Sequence, residues 1–175
     1  PSNWIIDWRN FFDVDSKVRA RFSRKLDPFL VDPLKKLPNV PEPASLAVRN
    51  LLRGHKVGLP PGQSVAKFLE FKPLTPTEIA SGKDGKVAQK HNFHIESPLW
   101  YYILKEAQIQ GGGKRLGQVG SRIVAEVFVG LLLADSSSFL ARKPKWKPTL
   151  PSEKPGTFTI ADLLRFVGDI NPIGD

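Results

Sequence analysis

Three histidines, His55, His91 and His94, are the side chains best suited to metal binding or to acid–base chemistry. His91 and His94 lie three positions apart in a polar stretch, and Glu96 follows closely. A zinc site needs three or four ligands in fixed geometry, and a His-x-x-His pair supplies only two of them. The sequence has no cysteine, which excludes thiolate ligands and disulfides. We therefore expect no metal site built from this chain's own side chains.

Motifs for nucleophilic catalysis and for phosphate binding are missing from the sequence. There is no Gly-x-Ser-x-Gly motif, so nothing indicates a strained turn that would expose a nucleophile. Three glycines at 111–113 precede Lys114 and Arg115, but they lack the spacing of a phosphate-binding loop and no predicted strand precedes them. Residue spacing by itself therefore indicates a basic helical domain and no particular reaction.

Positive charge is the strongest compositional signal, with 26 Lys and Arg against 17 Asp and Glu and a net charge of +9. Two basic clusters stand out, one at Lys17, Arg19, Arg21, Arg24 and Lys25 and the other at Arg142, Lys143, Lys145 and Lys147 around Trp146. Basic stripes with an aromatic residue can bind nucleic acid. No recognised nucleic-acid motif accompanies them, so we favour a solvated surface or a face for an acidic partner and expect no nucleic acid.

Short helices must position these residues, because 16 prolines and 14 glycines interrupt the 175-residue chain. No stretch alternates with a period of two, so no strand is expected. The predicted fold class is all-α, with about six short helices and long Pro-rich connections. Spacing and capping signals predict helices at 44–53 with a stop at Gly54, from Pro60 or Pro61, from Thr75, from Ser97 to the 111–113 glycines, over 117–134, and from Thr159 to Gly168.

Three of these segments carry further expectations. Residues 81–92 are polar and contain glycine, which indicates a surface loop. Ser97 is expected to cap the helix that has Pro98 at its first position. Residues 117–134 are apolar almost all round, so this helix is expected at the centre of the fold, and Arg122 and Glu126 within it are spaced to pair.

A chain of this length forms one domain, which we divide into an irregular lead (1–43), a helical core (44–134), and a linker with a final helix (135–175). The aromatic-rich residues 1–15 pack either on the protein's own core or on another polypeptide. The longest strongly apolar stretch, Val127 to Ala134, is far shorter than the about 20 residues of a membrane span. The first ten residues already carry Asp7 and Arg9, unlike a signal peptide.

Residues 46–60, LAVRNLLRGHKVGLP, resemble the segment of animal-type haem peroxidases in which an Asn stands three residues before an Arg and a Gly-Leu-Pro turn follows. Residues 116–140 resemble a later helix of that family, which begins Leu-Gly and runs into an Asp. The bacterial branch of the family is also similar at 97–107, 148–151 and 158–166. The order of these segments resembles the carboxyl-terminal portion of a peroxidase-like fold.

The resemblance implies roles for two residues on the first of these helices. Asn50 matches the Asn whose side-chain oxygen accepts a hydrogen bond from the proximal histidine, which orients that ring and tunes its donation to iron. Arg53 matches the Arg that pairs with a haem propionate, a role that suits the guanidinium fork. The cofactor implied is haem, with iron, and no metal ligand falls in this chain.

The family's proximal His, distal His and distal Arg all lie upstream of position 1, so the resemblance implies an incomplete catalytic unit. His55 follows the Asn helix and does not match the iron ligand. The sequence also departs from the family between Arg53 and the turn, where Gly54-His55-Lys56-Val57 replaces an Arg-Asp-His-rich stretch. The implied partner is the upstream part of the same peroxidase, as a second chain or a missing segment.

The implied reaction uses hydrogen peroxide to oxidise halide or a small organic reducing substrate. The family also implies an extracellular or periplasmic location. Two other functions stay open from the residues themselves. One is a peroxidase-like interaction or structural module without haem, acting through the aromatic lead and the basic clusters. The other is a charge-driven nucleic-acid binder, which steep salt dependence of binding would reveal.

Overall fold

The computed structural model describes residues 5–15, 17–142, 145–168 and 170, and this part of the chain is helical with no named strand. An isolated bridge joins Lys154 and Thr157. Short 3-10 helices occupy Trp8–Asn10 and Asp32–Lys35. The α-helices are α1 (Leu46–Lys56), α2 (Gly62–Phe68), α3 (Pro76–Ile79), α4 (Gly85–Lys90), α5 (Leu99–Gly111), α6 (Gln118–Ala134) and α7 (Ile160–Val167). The all-α prediction is confirmed for the described residues.

Capping boxes begin α3 and α7 where the sequence predicts them. Thr75 Oγ1 accepts the amide of Glu78 at 3.2 Å, and Glu78 Oε2 accepts the amide of Thr75 at 2.7 Å. Thr159 and Asp162 form the same reciprocal pair, with Asp162 Oδ2 accepting the Thr159 amide at 2.8 Å. Each pair satisfies amide donors that a helix start leaves without partners.

Glycines end α5 and α7 as predicted, but Gly54 does not end α1. Gly112 (φ 58) and Gly168 (φ 81) adopt the left-handed conformation of a helix carboxyl cap. Gly54 stays helical, and α1 continues to Lys56 before the left-handed turn at Gly58 (φ 67). A glycine stops a helix only where the backbone takes positive φ, and glycine composition does not specify that position.

Two further predictions about local structure are wrong. Residues 81–92 contain α4, whose Gly85 and Ala88 are buried. Ser97 does not cap α5, because Pro98 holds the cap position and the Ser97 hydroxyl donates instead to the carbonyl of Phe93. The polarity of residues 81–92 indicates a surface loop, but Ala88 packs into the core with Tyr101 and Tyr102.

The chain forms two compact units, one made of residues 1–24 with 132–175 and the other of residues 25–131. In the second unit, α1 and α2 both pack on α5. The core of this unit comes from Ala66, Leu74, Ile79, Ala88, Tyr101, Tyr102 and Val119. Tyr102 is fully buried, and its hydroxyl oxygen accepts the amide of Leu74 at 2.9 Å.

In the first unit, α7 is tied to the lead segment by Arg165. Its Nη2 donates to the carbonyl of Asp13 at 3.0 Å, and its Nη1 pairs with Glu153 at 2.8 Å. Glu153 in turn donates its amide to the buried Asp162 carboxylate at 2.9 Å. Some lead residues stay exposed, including Phe11 at 63%. Val14 of the lead is buried at 8% exposure, so the lead is held by apolar burial as well as by these polar contacts.

A buried carboxylate joins α5 to the start of α6. Glu106 is 1% exposed, and its oxygens accept the amides of Val119 at 3.0 Å and Gly120 at 3.2 Å. A Cβ at Gly117 would lie 2.2 Å from Glu106 Cγ, so only glycine allows this approach. Burial raises the pKa of Glu106, and the hydrogen bonds from the two amides offset part of that rise. The carboxylate therefore replaces an ordinary amino-terminal cap of α6.

We expect the Glu106→Gln variant to gain stability relative to the wild type as pH rises above about 4.5. A raised pKa means that Glu106 contributes stability below its unfolded pKa of about 4.5 and loses it as pH rises through the folded value. Urea unfolding of both proteins from pH 4 to 8 measures the difference. The Glu78→Gln variant is the control, because hydrogen bonds from Thr75 lower the pKa of Glu78. It should therefore lose stability relative to the wild type as pH rises, whereas Glu106→Gln gains it. A pH-independent difference for Glu106→Gln would contradict the prediction.

The expectation that the apolar helix 117–134 lies at the centre of the fold is wrong for this chain. Only Val119 and Gly120 of α6 are buried, and Val127, Phe128, Leu131 and Leu133 are 55–67% exposed. The predicted Arg122–Glu126 pair does form on this helix, at 2.6 Å. The chain thus carries an apolar helix with too little neighbouring structure to cover it. No helix in the described ranges is long and apolar enough to cross a membrane.

Candidate functional site

A cleft of about 210 Å3 lies where the second half of α1, the turn after it and the start of α5 meet. Its lining consists of Asn50, Leu51, Gly54, His55, Leu59, Pro61, Glu96, Ser97, Pro98, Leu99 and Trp100. The lining thus combines an amide, an imidazole, a carboxylate and an indole with apolar walls. Small-molecule sites have this combination of apolar surface with a few convergent polar groups.

Hydrogen bonds between α2 and the segment before α5 hold the floor of the cleft. Ser97 is fully buried, and its amide donates to Gln63 Oε1 at 3.0 Å while Gln63 Nε2 donates back to Ser97 Oγ at 3.0 Å. The amide of Gly62 donates to the carbonyl of Ser97 at 2.9 Å. This paired arrangement satisfies the buried polar atoms and keeps the start of α5 in place.

Helix α1 forms the opposite wall, and contacts at both of its ends fix it. At its start, Arg49 donates to the carbonyls of Pro41 and Pro43 at 3.2 and 3.4 Å. At its end, Leu59 donates its amide to the carbonyl of Gly54 at 3.0 Å, which folds the turn back towards the helix. Leu51 packs against the hydrophobic core. These contacts set which face of α1 lines the cleft.

Asn50 lines this cleft, and Arg53 lies three residues later on the same helix. The Asn50 side chain is half-buried and has no hydrogen-bond partner within the described part of the chain. Arg53 is exposed and forms no ion pair with any residue in the described ranges. Polar groups that a folded chain leaves unpaired at a concave surface are available to a ligand or a partner.

The histidines do not assemble into a metal centre. No cluster of three or more His, Cys, Asp or Glu that could hold a metal ion occurs in the described residues. His55 and Glu96 line the cleft, whereas His91 lies exposed at the end of α4. His94 is half-buried, and its Nδ1 is buried without a hydrogen-bond partner among the residues described.

Several residues of the cleft are absent from the sequence-based candidates. Gln63, Ser97 and Trp100 shape the site, yet no short motif marks them, because Gln63 and Ser97 lie 34 positions apart. The sequence does not predict that His55 and Glu96 lie in one cleft, because 41 positions separate them. The one signal that pointed to this place was the resemblance at Asn50 and Arg53.

No protein-family model matches the chain, and no curated protein or solved structure is found to be similar to it. The function rests on the residues and on their geometry.

The size of the cleft limits what it can do. Sites that enclose a drug-sized ligand have volumes of about 300–1,000 Å3, and this cleft holds about 210 Å3. It can seat a few atoms of a ligand, or one side chain from a partner, against Asn50 and Trp100. This cleft is therefore too small to enclose a haem group.

Proposed function

We propose that this chain is the carboxyl-terminal part of a haem peroxidase that uses hydrogen peroxide to oxidise halide or small organic substrates. In this proposal it forms the proximal-side wall of the haem site. The observation that carries the proposal is the half-buried amide of Asn50 on the cleft wall, with Arg53 three residues later on α1, neither of which has a side-chain partner among the described residues.

The residues present fit that partial role. Asn50 offers a side-chain oxygen that can accept the Nδ1–H of a histidine supplied from outside this chain, which would hold the ring in one tautomer. Arg53 offers a fork of donors that matches a propionate carboxylate and offsets its charge. Haem, when bound, supplies the redox chemistry of iron. The chain's own residues orient the ligand and anchor the cofactor.

The exposed apolar surface of α6 supports the proposal that this chain packs against another polypeptide. A helix apolar almost all round is a helix of a protein interior, yet Phe128 is 64% and Leu131 is 64% exposed here. In the proposal, the upstream part of the same peroxidase, as a second chain or as one continuous polypeptide, covers α6 and brings the histidines. In the proposal, such a protein lies outside the cell or in the periplasm, as the family resemblance implies.

The Asn50→Ala variant is expected to shift the haem absorption spectrum and to lower peroxidase turnover by about 10–100-fold. That range is typical when the hydrogen-bond partner of a metal-bound histidine is removed. The measurement is a 350–650 nm spectrum and a turnover assay on the chain produced together with its natural upstream sequence. The Arg53→Ala variant should weaken haem retention with a smaller spectral change.

The Lys56→Ala variant is the matched control, because Lys56 is an exposed cation at the end of the same helix. It should leave both spectrum and turnover unchanged. A full-length protein with no Soret band after titration with haem would overturn the proposal. It would leave the second candidate, an interaction module without haem, which the exposed apolar residues of α6 also favour.

A further inference from the structure

An exposed segment without helix or strand links the first compact unit to the second along the chain. The first unit's leading stretch ends at Arg24, and the second unit begins at Lys25. Residues 21–26 are all exposed and belong to no helix or strand. Phe22 is 88% exposed, although an aromatic side chain is normally at least half covered.

Backbone hydrogen bonds hold the two ends of this segment. Arg21 donates its amide to the carbonyl of Asn10 at 2.9 Å, and Leu26 donates its amide to the carbonyl of Gly113 at 2.8 Å. Between these anchors, the amides and carbonyls of residues 22–25 form no hydrogen bond with the described part of the chain. An endoproteinase binds its substrate as an extended strand and must supply those hydrogen bonds itself. Residues 22–25 are exposed, and their amides and carbonyls are open to such pairing without the loss of a native hydrogen bond.

The two other pairs of adjacent basic residues within the described ranges, at 35–36 and 114–115, lack this combination. Lys114 donates its amide to the carbonyl of Gly111 at 3.0 Å within the turn after α5. Lys35 lies in a 3-10 helix, and its ammonium pairs with Asp32 at 2.6 Å. In those places a proteinase would first have to break local structure, which slows cleavage.

We propose that the Arg24–Lys25 peptide bond is a processing site for a serine endoproteinase whose specificity pocket carries a carboxylate. Arg24 is the residue that enters that pocket. Its side chain has no hydrogen bond or ion pair with the described residues, whereas Lys25 packs its side chain over Gly113 and Arg21 is tethered by its amide.

The reaction is hydrolysis, with water as the only co-reactant. The bond between the Arg24 carbonyl carbon and the Lys25 nitrogen breaks. The carbon takes the hydroxyl of water and becomes a carboxylate, and the nitrogen takes a proton and leaves as a new amino terminus. Nothing is oxidised or reduced. The product begins at Lys25, the first residue of the second compact unit. This inference is independent of the peroxidase proposal.

Limited digestion with trypsin at low ratio, followed by intact mass, tests the susceptibility of this bond. The first cut is expected between Arg24 and Lys25, and the Arg24→Gln variant should slow first cleavage at least tenfold. The Arg115→Gln variant is the matched control and should cleave like the wild type. Circular dichroism of both variants confirms that they fold. A first cut elsewhere, or an unchanged rate in Arg24→Gln, would overturn the proposal.

Amino-terminal sequencing of the protein purified from its own cells tests processing itself. A chain that starts at Lys25 is the expected result. If every chain from those cells is intact across positions 24 and 25, the processing proposal is wrong, even if trypsin cuts the Arg24–Lys25 bond in vitro.

Discussion

Replacing Lys105 by Met is expected to lower the free energy of unfolding by about 3–5 kcal/mol, the range for breaking a buried ion pair. Lys105 is fully buried, and its ammonium donates to Asp84 Oδ1 at 2.8 Å and to the carbonyl of Ser81 at 2.6 Å. Methionine keeps most of the side-chain volume. The decrease in the free energy of unfolding therefore measures the contribution of the charge and its hydrogen bonds. Asp84, with its side chain 11% exposed, would then lack a cation.

The same carboxylate accepts a hydrogen bond from Tyr101. Its hydroxyl donates to Asp84 Oδ2 at 2.7 Å, and burial, with the nearby carboxylate, raises the pKa of Tyr101. The tyrosine therefore stays protonated at all physiological pH values and cannot replace the lost cation. Lys105, Tyr101 and Asp84 together attach the segment before α4 to α5, the helix whose start forms one wall of the cleft.

Urea unfolding of Lys105→Met measures this loss, with Arg122→Met as the matched control. The Arg122–Glu126 pair is about half exposed and contributes less than about 0.5 kcal/mol. The double variant Lys105→Met with Asp84→Asn should recover part of the stability, because no uncompensated charge then remains buried. Equal effects of Lys105→Met and Arg122→Met would show that the buried pair adds nothing beyond a surface pair.

Replacing Gly62 by Ala is expected to lower the free energy of unfolding by about 3 kcal/mol. A Cβ at this position would lie 2.1 Å from Tyr102 Cγ and 2.2 Å from Tyr102 Cβ. The ring has nowhere to move, since Tyr102 is fully buried and its hydroxyl is held by the amide of Leu74. Inserting atoms into such a packed place costs about 1–3 kcal/mol, and a rigid neighbour puts the effect at the upper end.

The displacement would also reach the cleft, because the Gly62 amide donates to the carbonyl of Ser97. Thermal or urea unfolding checks the stability, with Gly130→Ala as the control. Gly130 lies within α6, and a Cβ there would meet nothing within 4 Å. This control is expected to gain about 0.5–1 kcal/mol, because alanine favours a helix interior over glycine. If Gly62→Ala and Gly130→Ala changed the free energy of unfolding by similar amounts, close packing of α2 on Tyr102 would be contradicted.

Together these contacts show that buried side chains of α5 hold the elements around the cleft in place. Helix α5 carries Tyr102 against α2, and Lys105 and Tyr101 against the segment before α4. Its Glu106 holds the start of α6. One helix thus anchors three neighbours through buried side chains, while its first residues line the candidate site. Loss of any of these anchors should therefore affect the position of Trp100 as well as overall stability.

The sequence by itself determined the local features of this protein. The capping boxes at Thr75 and Thr159, the glycine stop after α5 and the Arg122–Glu126 pair all form as predicted. Each depends on residues no more than four positions apart, so the interacting groups meet whenever the helix forms. The all-α class follows from the same local signals. Asn50 and Arg53 were identified by resemblance, and their haem roles stay predictions.

Tertiary structure alone decided what those helices bury and expose. Lys105 reaches Asp84 and Gln63 reaches Ser97 across 21 and 34 positions, and no pattern in the sequence pairs them. Core packing buries Ala88 within residues 81–92, which their polarity assigns to a surface loop, and it leaves Ser97 bonded to Gln63 and Phe93 instead of capping α5. Helix α6 shows the reverse. Its apolar sequence indicates an interior helix, but burial requires neighbours on every side, and the described chain does not provide them.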